Sequence, residues 1–362
     1  MATTMGRKTR PRLSATHSRL CPPTGDQRTG AYLANTMKLS SDLAFFRKLT
    51  MRDATELASV LHSPTLFDFS TSNQAPFFLS ILLHGNETSG WDALRALVQD
   101  EYQNKSLPSC LILIGNVQAA QHSKRMLDGQ PDFNRIWEGG SSPYAKWADN
   151  VVSYLESKRP WFALDVHNNT GPNPHHSIVT SVDATTMSAA RLFSQTAIFA
   201  QQPPGVLTRR TSGFCTSITI EAGLPEDPES AARAREYISV LWNAGKVPMV
   251  NTSDQELFQN NVRVLIDNAD TITDDQVPKF APKLYRFNFK IIPEGTELAR
   301  LVVDHARLRA VDEDQKDQTR TFLTYKGKNV SLRRDTILSM YTEDPRIARQ
   351  DCVCYFLEPL QV

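Results

Sequence analysis

Alternating apolar runs and helical stretches mark this chain as an α/β protein: a three-layer sandwich around a mixed, largely parallel central sheet, with a small β-rich unit after it. Between residues 40 and 248, short strand-like runs take turns with longer helical ones. After Val250-Asn251-Thr252 the texture changes to short apolar segments such as 284–289 and 321–325, separated by Pro-Glu-Gly and Lys-Gly-Lys turns. A chain of 362 residues suffices for one large unit or two moderate ones. The division expected is a leader over 1–36, an α/β unit over 37–250 and a β-rich unit over 251–362.

Helices are expected first over 41–48 and 53–60. Residues 76–83 read Pro-Phe-Phe-Leu-Ser-Ile-Leu-Leu, a continuous apolar run of the kind that fills the middle of a parallel sheet. A helix over 90–103, a strand over 110–115, a helix over 144–157 and a strand over 161–166 follow. Further on come a strand over 177–181, one helix over 184–199 and a strand over 216–221. The last helix, 228–244, is rich in Ala and Arg behind a Pro-Glu-Asp-Pro start.

Composition excludes several functions. A formal net charge of +1, with 22% of residues charged, leaves no electrostatic footprint for nucleic acid or a membrane surface. No apolar run approaches the roughly 20 residues that cross a bilayer. Five scattered cysteines without a C-x-x-C pair fit a reducing, cytoplasmic setting, and Cys352 with Cys354 make a poor joint ligand set. Residues 1–36 set six basic side chains against Asp26, a composition that cannot build a core. That segment is arginine-rich and acid-poor like a transit peptide, but its prolines and the lack of an apolar face favour a disordered leader ahead of Met37. It lacks the apolar centre of a secretory signal.

Chemistry enters where strands end. The first run stops at His84-Gly85-Asn86-Glu87, an imidazole and a carboxylate that can turn back onto one cation. The second stops at His167-Asn168-Asn169-Thr170-Gly171. In open α/β sheets, sites collect beyond the carboxyl ends of strands, so His84, Glu87 and His167 can meet there. Two His and one Glu leave a fourth position for water, the pattern of a catalytic zinc. A third strand delivers Glu221, a buried carboxylate that must shift its pKa or find a cation. Beside a metal it would act as general base; alternatively it forms an internal salt bridge. Between the first two strands lie Arg125, Asp132, Asn134 and Arg135. Asn134 with Arg135 suits a substrate carboxylate, Arg125 a developing oxyanion, and Asp132 a hydrogen bond to a ligand imidazole.

In their order these pieces, His84-Gly85-Asn86-Glu87-Thr88, Asp132-Phe133-Asn134-Arg135, Asp165-Val166-His167-Asn168 and Ile218-Thr219-Ile220-Glu221-Ala222-Gly223, resemble the zinc carboxypeptidase superfamily. They are most similar to its succinylglutamate desuccinylase/aspartoacylase branch. The resemblance implies one zinc ion per chain on His84, Glu87 and His167, with Glu221 as base. It implies Asn134 and Arg135 as carboxylate binders, Arg125 on the oxyanion side and Asp132 behind a ligand histidine. The interval from Arg125 to Asp132 is about two residues longer than in such relatives.

The expected activity is hydrolysis of the amide bond of a small N-acyl amino acid, with the C-terminal β unit narrowing access to the metal. A metallocarboxypeptidase acting on peptide C-termini and an inactive small-molecule-binding relative are the competing readings. The expected partner is the small-molecule substrate, with an oligomer possible. His175 and His176 fall in the loop after His167 and, like Tyr285 and Tyr341, are not assigned to the chemistry.

Overall fold

The computed structural model describes residues 37–169, 171–201 and 203–361. The leader expected over 1–36 lies outside them. The chain enters on β1 (Lys38–Ser40), α1 (Leu43–Leu49), α2 (Ala58–Leu61) and β2 (Thr65–Asp68). Next come β3 (Phe77–Ile81), α3 (Ser89–Glu101), β4 (Cys110–Ile114), α4 (Val117–Gln121), α5 (Pro143–Lys158) and β5 (Phe162–His167). β6 (His176–Val179), α6 (Ala184–Phe193), β7 (Thr196–Phe199), α7 (Leu207–Thr211), β8 (Thr216–Glu221) and α8 (Pro228–Ala244) complete this part.

The apolar runs become strands because both of their faces are covered. Phe77, Leu79 and Ile81 of β3 enter one core with Cys110, Ile112 and Ile114 of β4, while Phe78, Leu111 and Leu113 enter another. That alternation is the period-two consequence of strand geometry, and it places a helical layer on each side. On the first face α3 buries Trp91, Leu94, Leu97 and Val98 and packs on α8. On the second, α5 buries Trp147, Val151, Val152 and Leu155. α5 starts where Ser142 accepts from the Ala145 amide at 3.1 Å, ahead of a proline in its first turn.

The strand order β1-β2-β4-β3-β5-β8-β6-β7 is mixed. Its centre, β4-β3-β5-β8, is parallel, so these strands all end at one edge. β6 runs antiparallel to β8, and β7 parallel to β6. The helix expected over 184–199 is in fact α6 followed by β7. The helix stops at Ser194, whose backbone is extended and whose hydroxyl accepts the Thr196 amide at 3.1 Å. Serine competes with the helix through such local bonds.

The C-terminal region contains β9 (Glu256–Ile266), β10 (Lys279–Phe280), β11 (Ile291–Ile292), β12 (Glu297–Arg300), β13 (Leu308–Asp312) and α9 (Thr319–Phe322). β14 (Leu323–Lys326), β15 (Asn329–Leu332), β16 (Thr336–Ser339), α10 (Pro345–Gln350) and β17 (Cys354–Pro359) follow. β10, β12, β15 and β14 form a separate antiparallel sheet, as the turn-rich texture leads one to expect. Gly295 and Gly327 sit at positive φ in the two anticipated turns. β9 is shared: its first residues pair with β7 and its later ones with β17 and β13. The segment 284–287, apolar in sequence, is a short 3-10 turn.

One glycine sets the geometry of the His84–Glu87 turn. A Cβ on Gly85 would overlap the backbone of Ala119 and Ala120 in α4, and the Gly85 amide donates to Arg125 O at 3.1 Å. Gly85→Ala should therefore push the turn away from α4 and destabilise the protein by about 1–3 kcal/mol, as overpacking does. A thermal melt reads the loss, and an unchanged melting temperature would refute the close-approach argument.

Candidate metal and catalytic site

Parallel pairing brings the pieces together. β3, β5 and β8 lie side by side, and the β5–β8 register sets His167 directly opposite Glu221. His84 and Glu87 stand in the turn just beyond β3, closed by the Glu87 amide donating to His84 O at 3.2 Å. Asn168 ties the three strand ends: its side chain donates to Ser89 Oγ at 2.8 Å and to Gly223 O at 2.7 Å, and its amide donates to Glu87 at 3.2 Å.

His84, Glu87 and His167 are all buried, and ligand atoms from all three lie within 4.8 Å of one another. His84 Nδ1 is 2.8 Å from Glu87 Oε1, His167 Nδ1 is 2.6 Å from Glu87 Oε2, and the two Nδ1 atoms are 3.2 Å apart. The far nitrogens meet carboxylates: His84 Nε2 is 2.9 Å from Asp132 and His167 Nε2 is 2.9 Å from Asp165. An anionic carboxylate accepts and cannot donate, so each holds the imidazole proton on Nε2. Both Nδ1 lone pairs and the Glu87 carboxylate then converge on one point. Such a set needs a positive charge between its members. Tetrahedral zinc with bonds of about 2.0–2.2 Å would separate its ligands by about 3.4 Å, somewhat wider than the 2.6–3.2 Å between these atoms. The donor set therefore fits a metal ion.

The electrostatics point the same way. Burial alone would raise the Glu87 carboxyl, but His84 and His167 hold it well below the usual range. Burial would lower the His167 imidazole, yet Asp165 and Glu87 hold it well above its ordinary value. The surroundings of this cluster favour a cation.

Glu221 is the exception among the acids. It is 7% exposed, and its Oε2 has no hydrogen-bond partner. Burial pushes its carboxyl up to about 8, with His167 and Arg125 pulling down and Glu87 pushing up. An unpaired buried carboxylate oxygen of this kind is ready to accept a proton.

Asp132 organises the remaining residues. Its Oδ1 faces His84 and accepts the Asn134 amide at 2.7 Å, while its Oδ2 accepts from Arg125 Nε and Nη2 at 3.1 and 2.8 Å. Arg125 Nη1 lies 3.7 Å from Glu87, beside the His84–Glu87–His167 cluster. Asn134 is turned inward, with Nδ2 3.2 Å from His167 Nε2 and Oδ1 accepting the Leu207 amide at 3.0 Å. Arg135 donates Nη1 to Asn134 O at 2.9 Å and Nη2 to Asp351 at 3.2 Å. Asp351 also lies 3.6 Å from Arg125, so one carboxylate from the C-terminal region faces both arginines. Burial would raise Asp351, but Arg135 and Arg125 hold it below the usual carboxylate range.

A cavity of about 110 Å³ opens over His84, Glu87, His167 and Glu221. One water needs roughly 10–15 Å³ on this measure, so the space suits a small molecule. Its roof comes from the C-terminal region, through Ser339, Met340, Asp351 and Tyr355. Asn173, in the loop after His167, pins that roof by accepting from the Met340 amide at 2.8 Å and from Asn288 Nδ2 at 2.6 Å. Sequence reasoning did not find Asp351 or Tyr355, which lie far along the chain. Asp165 was within reach, two residues before His167 on the same strand face. His176 lines the cavity, whereas His175 packs edge-on against Phe193 outside it. Tyr341 is fully buried with its hydroxyl on Ala281 O and Leu298 O, so it belongs to the C-terminal core.

Residues 77–235 match the family model of the succinylglutamate desuccinylase/aspartoacylase catalytic domain. No curated protein matches the sequence. The fold is similar to that of a succinylglutamate desuccinylase from Chromobacterium violaceum, with a TM-score of 0.52 and 16% identity over 80% of this chain and 86% of that one. A succinylglutamate desuccinylase/aspartoacylase from Rhodobacter sphaeroides gives a TM-score of 0.54 and 16% identity, over 82% and 89%. Murine aminoacylase 3 gives 0.52 and 14% identity, over 81% and 98%. At such identities the likeness is one of fold. The family match spans residues 77–235, from β3 into α8, and the likeness of fold to these solved structures extends over about four fifths of the chain.

Proposed function

We propose that the protein is a zinc-dependent hydrolase that cleaves the amide bond of small N-acyl amino acids. The observation that carries this reading is the convergence of two bare Nδ1 atoms and Glu87 beside the unpartnered Oε2 of Glu221, under one roofed cavity. Zinc held by His84, Glu87 and His167 would supply Lewis acidity, polarising the acyl carbonyl and bringing the pKa of water toward about 7. Glu221 takes a proton from the attacking water at Oε2 and delivers it to the departing nitrogen. Water adds to the acyl carbon, the C–N bond breaks, and a carboxylic acid and a free amino acid leave.

Arg125 stabilises the negative charge that grows on the carbonyl oxygen, its fork held by Asp132. Arg135 receives the α-carboxylate, which enters beside Asp351. Asn134 accepts the Leu207 amide through Oδ1 and the Arg135 guanidinium through its backbone carbonyl, so the two residues stand together where the α-carboxylate enters. The roof of Met340, Asp351 and Tyr355 favours small substrates over long peptides. A reducing, cytoplasmic setting accords with the free cysteines Cys110, Cys215, Cys352 and Cys354. Among the described residues, no helix is long and apolar enough to cross a membrane.

Amine release from N-acetyl, N-formyl and N-succinyl amino acids, beside dipeptides and longer peptides, tests the reaction. Release confined to the acyl amino acids is the expected result, and release that grows with peptide length would make the protein a carboxypeptidase. Glu221→Gln should keep its zinc by elemental analysis and lose about 10²–10⁴-fold in kcat. Near-normal turnover would remove Glu221 as base. His84→Ala should lose the zinc.

Asp132→Asn and Asp165→Asn test the hold on the imidazoles. Each should weaken zinc binding about 10–100-fold, read by competition with a chelator. Unchanged affinity in both would mean that the carboxylates do not set the ligand orientation.

A further inference from the structure

Beyond Glu221 the cavity runs sideways along three hydrogen-bonded strands, and its lining changes character. The β6–β8 register aligns His176 with Glu221 and Ile178 with Thr219, and the β6–β7 register aligns Ile178 with Ile198. Side chains alternate across a strand, so His176, Ile178 and Thr180 share one face, while Val179 on the other enters the main core. Together with Ile198 and Ala200 they floor this wing of the cavity, and Val206 closes its side.

Charge is confined to the other end. Among the described residues lining the cavity, the carboxyl and guanidinium groups are those of Glu87, Arg125, Arg135, Glu221 and Asp351. The wing has none past Glu221. Thr208 and Thr219 use their hydroxyls on each other. His176 is fully buried and meets Pro174 O through Nδ1 at 3.0 Å, which leaves Nε2 as an acceptor with no partner. Burial keeps this imidazole neutral, its pKa pushed down to about 4.

We propose that the wing receives the side chain of the amino acid in the N-acyl substrate, and that this side chain is uncharged and chiefly apolar. The placement rests on the hydrolase reading: Glu221 protonates the leaving nitrogen, so the amine half lies on the Glu221 side of the scissile bond, where the wing opens. An aliphatic side chain there covers Ile178, Ile198, Ala200 and Val206. A side-chain carboxylate would be taken out of water with no cation to meet it. His176 Nε2, in register with Glu221, accepts the substrate N–H.

The test compares kcat/KM of the zinc-loaded full chain for N-acetyl-leucine and N-acetyl-aspartate. We expect at least about 100-fold in favour of leucine, the scale on which an unpaired buried charge is rejected. Ile178→Arg should cut that ratio by about tenfold or more with zinc content unchanged. Should this variant fail to fold, Thr180→Arg, on the half-buried end of the same face, carries the same expectation. A wild-type preference for aspartate would overturn the proposal and leave the hydrolase reading intact. If neither compound is hydrolysed, thermal shifts of zinc-loaded Glu221→Gln separate the two ideas. A larger shift with N-acetyl-leucine supports the wing while the hydrolase reading fails, and equal or absent shifts overturn both.

Discussion

A buried excess of negative charge governs this molecule. Glu87, Asp132, Asp165, Glu221 and Asp351 stand in one cluster, with Arg125 and Arg135 paired to its members and Arg263 acting on Asp351. The acids outnumber the guanidinium groups beside them, and a divalent cation would offset the excess. Burial makes any shortfall expensive. Against burial, Asp165 and Glu87 draw His167 toward the charged form, while burial pushes Glu221 toward the neutral one. Each imidazole is backed by its own carboxylate. The sheet exists, in effect, to bring these groups to one edge and to keep water from diluting their interactions.

Much of this was legible because strands announce their ends. The change from Ile-Leu-Leu to His-Gly-Asn-Glu, and from Leu-Asp-Val to His-Asn-Asn, is abrupt, and parallel pairing carries such ends to a common edge. The alternation of Phe77, Phe78 and Leu79 between two cores is likewise inherent in a run with apolar residues on both faces. What stayed hidden lacked a local signal. β7 follows α6 with neither glycine nor proline between them, only Ser194 and Gln195, so its apolar residues extend the helical pattern. β1 spans three residues, too few for any periodicity.

The cavity roof was hidden for a different reason. Asp351 is an ordinary acid after a short helix, and nothing nearby in sequence tells that it faces Arg125 and Arg135 more than 200 positions earlier. Long-range charge pairing follows from topology, and topology here depends on β9 reaching both β7 and β17. The inward turn of Asn134 onto His167 also needed the fold, because it follows from where Leu207 lies.

The shared strand has one more consequence. β7 finishes the α/β part of the sheet, and the partner that satisfies its outer backbone groups is β9 from beyond residue 250. A fragment ending before β9 would bare that row of amides and carbonyls, a template on which another chain can pair. It would also bare Ile198, which Phe258, Ile337 and Leu357 from the later strands cover. During synthesis the α/β part emerges first and must wait, edge open, until the last strands arrive. The natural hazard of this architecture is association between half-made chains, and the speed with which β9 and β17 close the sheet is a property on which selection can act.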